Sequence, residues 1–197
     1  MGGPTSRSSA TGSAPGSATG SAPRNGTPAQ AVLLSAALDA PRAPALACRA
    51  VRTAGERAAH LRIRHEVFVA EQGLFRAGGD GDAHDGDPAT ILVIGLAGDD
   101  ICGTVRLYPV PGPGMWKGDR LAVLPGYRHL GLGAPLVRYA VAAAAERGGR
   151  QMEAFIQPGN VVFFERLGWQ RTGGLVEYAG IAHQRMVIEL TAVAPGW

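Results

Sequence analysis

Among its 19 basic residues the 197-residue chain has one lysine, Lys117, and it has only two cysteines, Cys48 and Cys102. A lone lysine flanked by Trp116 and Gly118 rules out the Gly-Lys-Ser/Thr signature of a nucleotide P-loop. Two cysteines far apart in sequence, with no Cys/His cluster at ligand spacing, predict no bound metal. Both sit in apolar, strand-like surroundings and read as buried free thiols in a reducing compartment, with a disulfide as the alternative. No run is apolar enough to cross a bilayer, and no hydrophobic core of a secretory leader follows Met1, so a cytoplasmic protein without a membrane partner is expected. The net charge is only +3 and the arginines are scattered among carboxylates, which argues against nucleic-acid binding.

What the first 44 residues do have is Gly, Ser, Thr, Ala and Pro, with Thr-Gly-Ser-Ala-Pro at 11–15 and again at 19–23. So few large apolar side chains cannot offset the entropy of ordering, which predicts a disordered tail over 1–44 and one folded domain over 45–197. Residues 31–38 could form a short helix, isolated by Pro41 and Pro44. Beyond the tail, hydrophobic periodicity predicts a strand at 46–51, a helix at 56–71, a hairpin of strands at 91–96 and 101–108, and a strand at 121–124. A helix from Pro135 to Ala145, a strand at 152–157, a short helix at 161–167 and strands at 169–178 and 183–191 complete the order. The tight turn at Gly98-Asp99-Asp100 makes this an α/β domain with a mixed sheet, not a doubly wound parallel one.

The most informative run is Leu121-Ala-Val-Leu-Pro-Gly-Tyr-Arg-His-Leu-Gly-Leu-Gly-Ala-Pro-Leu-Val137. It reads as a strand, a loop ending Arg128-x-x-Gly131-x-Gly133, and a helix with Pro135 in its first turn. Free N–H groups at a helix mouth, approached closely because glycine has no Cβ, suit a diphosphate. The same glycines would also serve a plain strand-to-helix turn. A dinucleotide fingerprint is excluded because position 136 is Leu.

The order of elements and three stretches resemble the GNAT superfamily of acyl-CoA-dependent N-acetyltransferases. Val123 to Gly133 resembles that superfamily's Val-x-Pro-x-Tyr-Arg-Gly-x-Gly-Ile-Gly motif, and Phe163-Phe-Glu-Arg-Leu-Gly-Trp169 its later Tyr-Glu-Lys-x-Gly-Phe motif. Arg64 to Gln72, with Asp80, Asp82 and Asp85 beyond it and Gly180 to Met186 near the end, is similar to the ElaA-like branch. Glu71-Gln-Gly-Leu-Phe75 is similar to the acetyltransferases encoded in nitrilase-containing, nitrogen-starvation gene clusters. The resemblance implies a mixed, mostly antiparallel sheet flanked by helices. It also implies acetyl-CoA as co-substrate, with its diphosphate on Arg128, His129, Leu130, Gly131, Leu132, Gly133 and Ala134. The pantetheine arm would lie along Ala122, Val123 and Leu124, with an N–H of Val123 or Leu124 facing the thioester oxygen, and Gln157 and Asn160 against the pantetheine amide. One departure is Phe164, which stands where the superfamily often has a proton-donating tyrosine; Tyr178 or water is the substitute.

An amine acceptor needs a base to take its proton. Glu153 and His183 are the candidates, each with a bland alternative as an ion-paired strand residue or a hydrogen-bonded structural histidine. Arg64, Phe68, Glu71 and Gln72 fall on one helical face and are expected to line the acceptor pocket. The run Asp80 to Asp87 fails the calcium-loop pattern, with Asp85 in place of the required glycine, and reads as an acidic surface loop. Trp169 is expected in the core. The expected function is acetyl transfer to a primary amine of a small molecule or peptide, possible in a homodimer. Alternatives are a longer-chain donor, as in acyl-homoserine-lactone synthases, and a non-catalytic acyl-CoA sensor.

Overall fold

Residues 43–75 and 78–190 are described by the computed structural model. The expected tail lies outside them apart from its last two residues, as do the helix expected at 31–38 and Thr191 at the end of the last expected strand.

β1 (Leu46–Ala50) leads into α1 (Ala54–Arg64), whose start is fixed by Thr53: its Oγ1 accepts from the N–H of Glu56 at 3.2 Å. The helix continues as a π turn over His65–Glu71, which widens the spiral and changes the face on which the following side chains emerge. β2 (Ile91–Ala97) and β3 (Asp100–Pro109) form the expected hairpin. Both are buried along nearly their whole length because both faces of the sheet are covered. β4 (Met115–Val123), α2 (Gly133–Glu146), β5 (Gln151–Ile156), α3 (Val161–Arg166), β6 (Gln170–Tyr178) and β7 (Ile181–Glu189) follow.

The seven strands lie in the order β1-β2-β3-β4-β5-β7-β6, and every pairing is antiparallel except β4 with β5. On one face α2 presses Leu132 and Leu136 onto Gly95 and Gly103. A Cβ at either glycine would sit 2.9 Å from a leucine side-chain atom, so glycine is what lets the helix approach. On the other face Ile63 and Val67 of the first helix pack on Ala122. Trp169 is in the core as expected, 4% exposed. Cys48 and Cys102 are free thiols, and burial pushes the Cys48 thiol up to about 11, so neither is a ready nucleophile.

Two features position the site. β4 and β5 pair only where Met115, Trp116 and Lys117 meet Gln151, Met152 and Glu153, and beyond Lys117 the two strands part. Opposite that opening β4 carries a bulge: Thr104 faces Ala122 and Arg106 faces Asp119, so Arg120 and Leu121 together oppose Val105. Arg120 adopts φ +53°, a backbone state that a residue with a Cβ seldom enters without constraint.

That constraint is a buried ion network. The expected acidic surface loop is instead its carboxylate half. Arg64, fully buried, donates to Asp80 Oδ2 at 2.6 Å and to Asp85 Oδ1 at 2.5 Å. Arg106, also fully buried, donates to Asp82 Oδ1 at 2.6 Å and to Asp119 through Nε at 2.8 Å and Nη2 at 2.7 Å. Arg120 donates to the carbonyl of Asp80 at 3.1 Å and to the hydroxyl of Tyr178 at 2.9 Å. Burial alone would raise the Asp85 carboxyl, but the hydrogen bond from Arg64 and the charges of Arg64 and Arg106 hold it below the ordinary carboxylate range. β4 therefore begins at Met115, not Leu121 as expected. Its polar residues Lys117, Asp119 and Arg120 serve buried partners and the cleft, not a loop.

Candidate active site

The opening between β4 and β5 is a cleft that runs through the sheet. Val137 and Ala140 of α2 and Phe164 of α3 line one side; Phe68, Phe75, Lys117, Phe155, Tyr178 and His183 line the other. Gln157 and Asn160 stand at the end of β5 and also line it.

Consecutive N–H groups of a strand point to opposite sides. The N–H of Leu124 donates to the carbonyl of Cys102 on β3 at 2.9 Å, which commits Leu124 and leaves Val123 with its N–H on the cleft side. Of the two donors expected to face a thioester, Val123 is the one available. Ala122 turns its side chain away from the cleft, 3% exposed, against Ile63 and Val67.

After β4 the chain forms a 3-10 turn, Pro125–Leu130, and Gly131 at φ +76° redirects it into α2. The N–H of Gly131 is taken by the carbonyl of Arg128 at 3.1 Å, which corrects the expectation that it is free. The first turn of α2 has no side-chain cap, so no capping side chain takes up the N–H groups at its start, from Leu132 to Ala134; the side chain of Leu132 itself is fully buried. His129 and Arg128 are exposed on the turn, with Leu130 partly buried in the core. A Cβ on Gly131 would meet nothing within 4 Å, so the space beside the turn is open to a ligand.

The residues of the first helical segment divide. Phe68 reaches the cleft, while Arg64 does not: it is fully buried in the ion network, correcting its expected place in an acceptor pocket. The π turn ends at Glu71 and Gln72, which are exposed and do not line the cleft, correcting their expected place in the acceptor pocket. Glu71 accepts from Arg128 through both oxygens, at 2.8 and 2.6 Å, and Gln72 Oε1 accepts from Gln157 Nε2 at 3.0 Å. The Arg128 guanidinium holds the Glu71 carboxyl below its ordinary range.

Of the two expected bases, Glu153 is engaged by Arg185, at 2.9 Å from Nε and 2.8 Å from Nη2, and is not among the cleft residues; it is the ion-paired strand carboxylate. His183 is 5% exposed and lines the cleft, with Nδ1 3.0 Å from the carbonyl of Ile181. A carbonyl only accepts, so Nδ1 carries a proton, and in the neutral ring Nε2 is the nitrogen with the lone pair. Tyr178 stands edge-on to His183 at 5.5 Å; its oxygen accepts from Arg120, leaving its own proton to give. Phe164 packs edge-on against Phe163 and Trp169 at the cleft wall. Lys117, Phe75, Phe155 and Arg120 were not foreseen. The one signal for them was that the chain's single lysine sits six residues before the phosphate-loop strand motif.

No group of three or more His, Cys, Asp or Glu side chains able to hold a metal occurs among the described residues, and none of their helices is long and apolar enough to cross a membrane. A search of curated proteins finds no match. Among solved structures, a Lactobacillus plantarum protein assigned as an N-acetyltransferase aligns with 75% of this chain and 99% of its own at 24% identity and a TM-score of 0.66. Escherichia coli ElaA aligns with 73% of this chain and 99% of its own, at 17% identity and a TM-score of 0.64. The CoA-dependent acyl-homoserine lactone synthase BjaI aligns over 75% of this chain and 84% of its own, at 21% identity and a TM-score of 0.62. At these identities the likenesses speak for the fold. Residues 49–169 match the acetyltransferase (GNAT) family, more than half of the chain, and the chain belongs to that family.

Proposed function

We propose that this acyltransferase moves an acetyl group from acetyl-CoA to the primary amine of a small molecule or peptide in a ternary complex. The observation that carries the reading is the parting of β4 from β5 beside an uncapped helix start, which together offer an edge for an amide-bearing arm and a seat for a diphosphate. The residues fit coenzyme A: open space beside Gly131, N–H groups at Leu132 to Ala134 that no side chain caps, and Gln157 and Asn160 along the way.

Bound acyl-CoA would supply an activated carbonyl. The N–H of Val123 would donate to the carbonyl oxygen, where one such donor is worth about 3–4 kcal/mol as charge develops. His183 Nε2 would take the amine proton as the C–N bond forms and the C–S bond breaks. Tyr178 would give its proton to the leaving sulfur in place of the tyrosine that Phe164 replaces, and Arg120 beside it would stabilise the phenolate. The run Glu71 to Phe75 supports a place close to the nitrogen-starvation cluster enzymes within the ElaA-like branch, and the composition supports a cytoplasmic location.

Thiol release measured with acetyl-, butyryl- and octanoyl-CoA against a panel of amines tests the donor. Highest kcat/KM with acetyl-CoA is expected. A preference for octanoyl-CoA would favour the longer-donor reading, and tight coenzyme A binding with no turnover on any amine would favour a sensor.

A further inference from the structure

Lys117 lines the acceptor side of the cleft, and among the described residues it makes no ion pair. Its neighbour in register across the strands is Glu153, the ordinary partner for a cation there, yet that carboxylate is held by Arg185. Asp119, two residues along β4, is equally committed: both its oxygens accept from Arg106, and one also accepts from the hydroxyl of Tyr108 at 3.3 Å. Aromatic faces hold Lys117 Nζ instead. The ring of Phe155 is 4.5 Å away and that of Tyr178 5.7 Å. Cation–π contacts of this kind fix an ammonium in position while leaving its N–H donors for something else. Lys117 is partly buried, so those donors cannot be fully satisfied by bulk water without cost.

Arg120 stands in the same wall with its guanidinium 4.7 Å above the ring of Phe75, but its charge is matched by Asp80, Asp82 and Asp119. Among the described residues, Lys117 is therefore the cation on this side of the cleft that no carboxylate contacts. A simple amine would stand there as a second cation beside Lys117 and offer that lysine's N–H donors no acceptor. An amine that also carries a carboxylate would arrive neutral overall, and its carboxylate would accept from Lys117. The ammonium of Lys117 would then lower the pKa of the acceptor's own ammonium, favouring the free base that attacks. Phe68, Leu74, Phe75 and Phe155 give the same cleft an apolar stretch.

We infer that the acceptor is an amine bearing a carboxylate and an apolar body, of the class of a hydrophobic α-amino acid, with Lys117 as the residue that binds its carboxylate. This rests on the acyl-transfer reading above and names the acceptor class for that site. The transfer is balanced: the acceptor nitrogen gains the acyl carbon and loses a proton, and the thiolate that leaves takes up a proton.

The test follows thiol release from acetyl-CoA with phenylalanine, phenylalaninamide and phenethylamine, which differ at the carboxylate alone. Phenylalanine is expected to show the highest kcat/KM, chiefly through a lower KM. Lys117→Met is expected to raise the KM for phenylalanine about 10- to 100-fold, the scale of a hydrogen bond to a charged group, and to collapse the ratio of phenylalanine over phenethylamine. Lys117→Arg is expected to restore most of that ratio, which a merely structural lysine would not require. Calorimetric titration of each variant with acetyl-CoA checks that the fold and the donor site are intact. Equal use of phenethylamine and phenylalanine by the unaltered enzyme, or equal losses on both in Lys117→Met, would overturn the inference and leave acyl transfer standing. Turnover of other amines but none of these three would do the same. No thiol release with any amine would overturn both.

Discussion

Replacing Arg64 with leucine separates a structural from a substrate-binding role for this residue. Its guanidinium is fully buried and donates to Asp80 Oδ2, Asp85 Oδ1, the carbonyl of Asp80 at 2.9 Å and Asp85 Oδ2 at 3.0 Å. Three arginines in the network face four aspartates, so the loss of one leaves two cations for four anions, two of which have just lost their main donor. Removing one partner of a buried pair typically costs about 3–5 kcal/mol, because the other charge stays desolvated. Urea unfolding at pH 7 should show Arg64→Leu destabilised by that amount. Asp85→Asn should cost less in the Arg64→Leu background than alone, with a coupling of about 1–3 kcal/mol, because the orphaned charge is then absent. A loss below about 1 kcal/mol, the scale of exposed ion pairs, joined to a raised acceptor KM, would refute the assignment and return Arg64 to the acceptor pocket.

Further outcomes follow from the same physics. Burial lowers His60 from 6.5 to about 4, helped by the Arg64 charge, so the fold keeps the imidazole neutral where the unfolded chain binds a proton. Stability should therefore fall by roughly 3 kcal/mol as pH drops from 6.5 to 4, and His60→Phe should flatten thermal unfolding across that window; an unchanged slope would contradict it. Asp82 and Asp85 are held low in the fold, so their contribution is complete above the unfolded carboxylate value of about 3.9 and is lost only below it, as a second acid phase. Glu71→Gln releases Arg128 from an exposed pair and should tighten acetyl-CoA binding about two- to fivefold by calorimetry; weaker binding would mean that Glu71 itself supports the ligand. A chain beginning at Pro41 should melt within a degree or two of the full chain, and a large fall would move the domain boundary.

The strand and helix order was legible because β2 and β3 are nearly unbroken apolar runs joined by a tight turn, because α2 keeps its helical period, and because Gly131 and Pro135 mark a helix entry. What was hidden shares one cause. Lys117, Asp119 and Arg120 fell between the expected strands with no element assigned, and Asp80 to Asp87 looked like an acidic surface run, because a sequence shows charges without their partners. Arg64 lies 16 residues from Asp80, and Arg106 and Arg120 lie 24 and 38 residues from Asp82. Local pattern cannot announce such pairing. The π turn after Arg64 had the same effect on a smaller scale: helical spacing grouped Arg64 with Phe68, Glu71 and Gln72, and the wider turn sends them to three different places. Glu153 stood out as a lone carboxylate only because Arg185 is 32 residues away.

The measurement closest to the central claim is calorimetric titration of the protein with acetyl-CoA, with Gly131→Asp beside it. The bulk and negative charge of the aspartate would stand beside the diphosphate, at a backbone φ of +76° that glycine tolerates best. Micromolar binding by the unaltered protein, lost in Gly131→Asp while the melting temperature falls by only a few degrees, the scale of about 1 kcal/mol of backbone strain, is the predicted result. Equal affinity in the two proteins, or no binding by either, would contradict the assignment of this turn and cleft to coenzyme A.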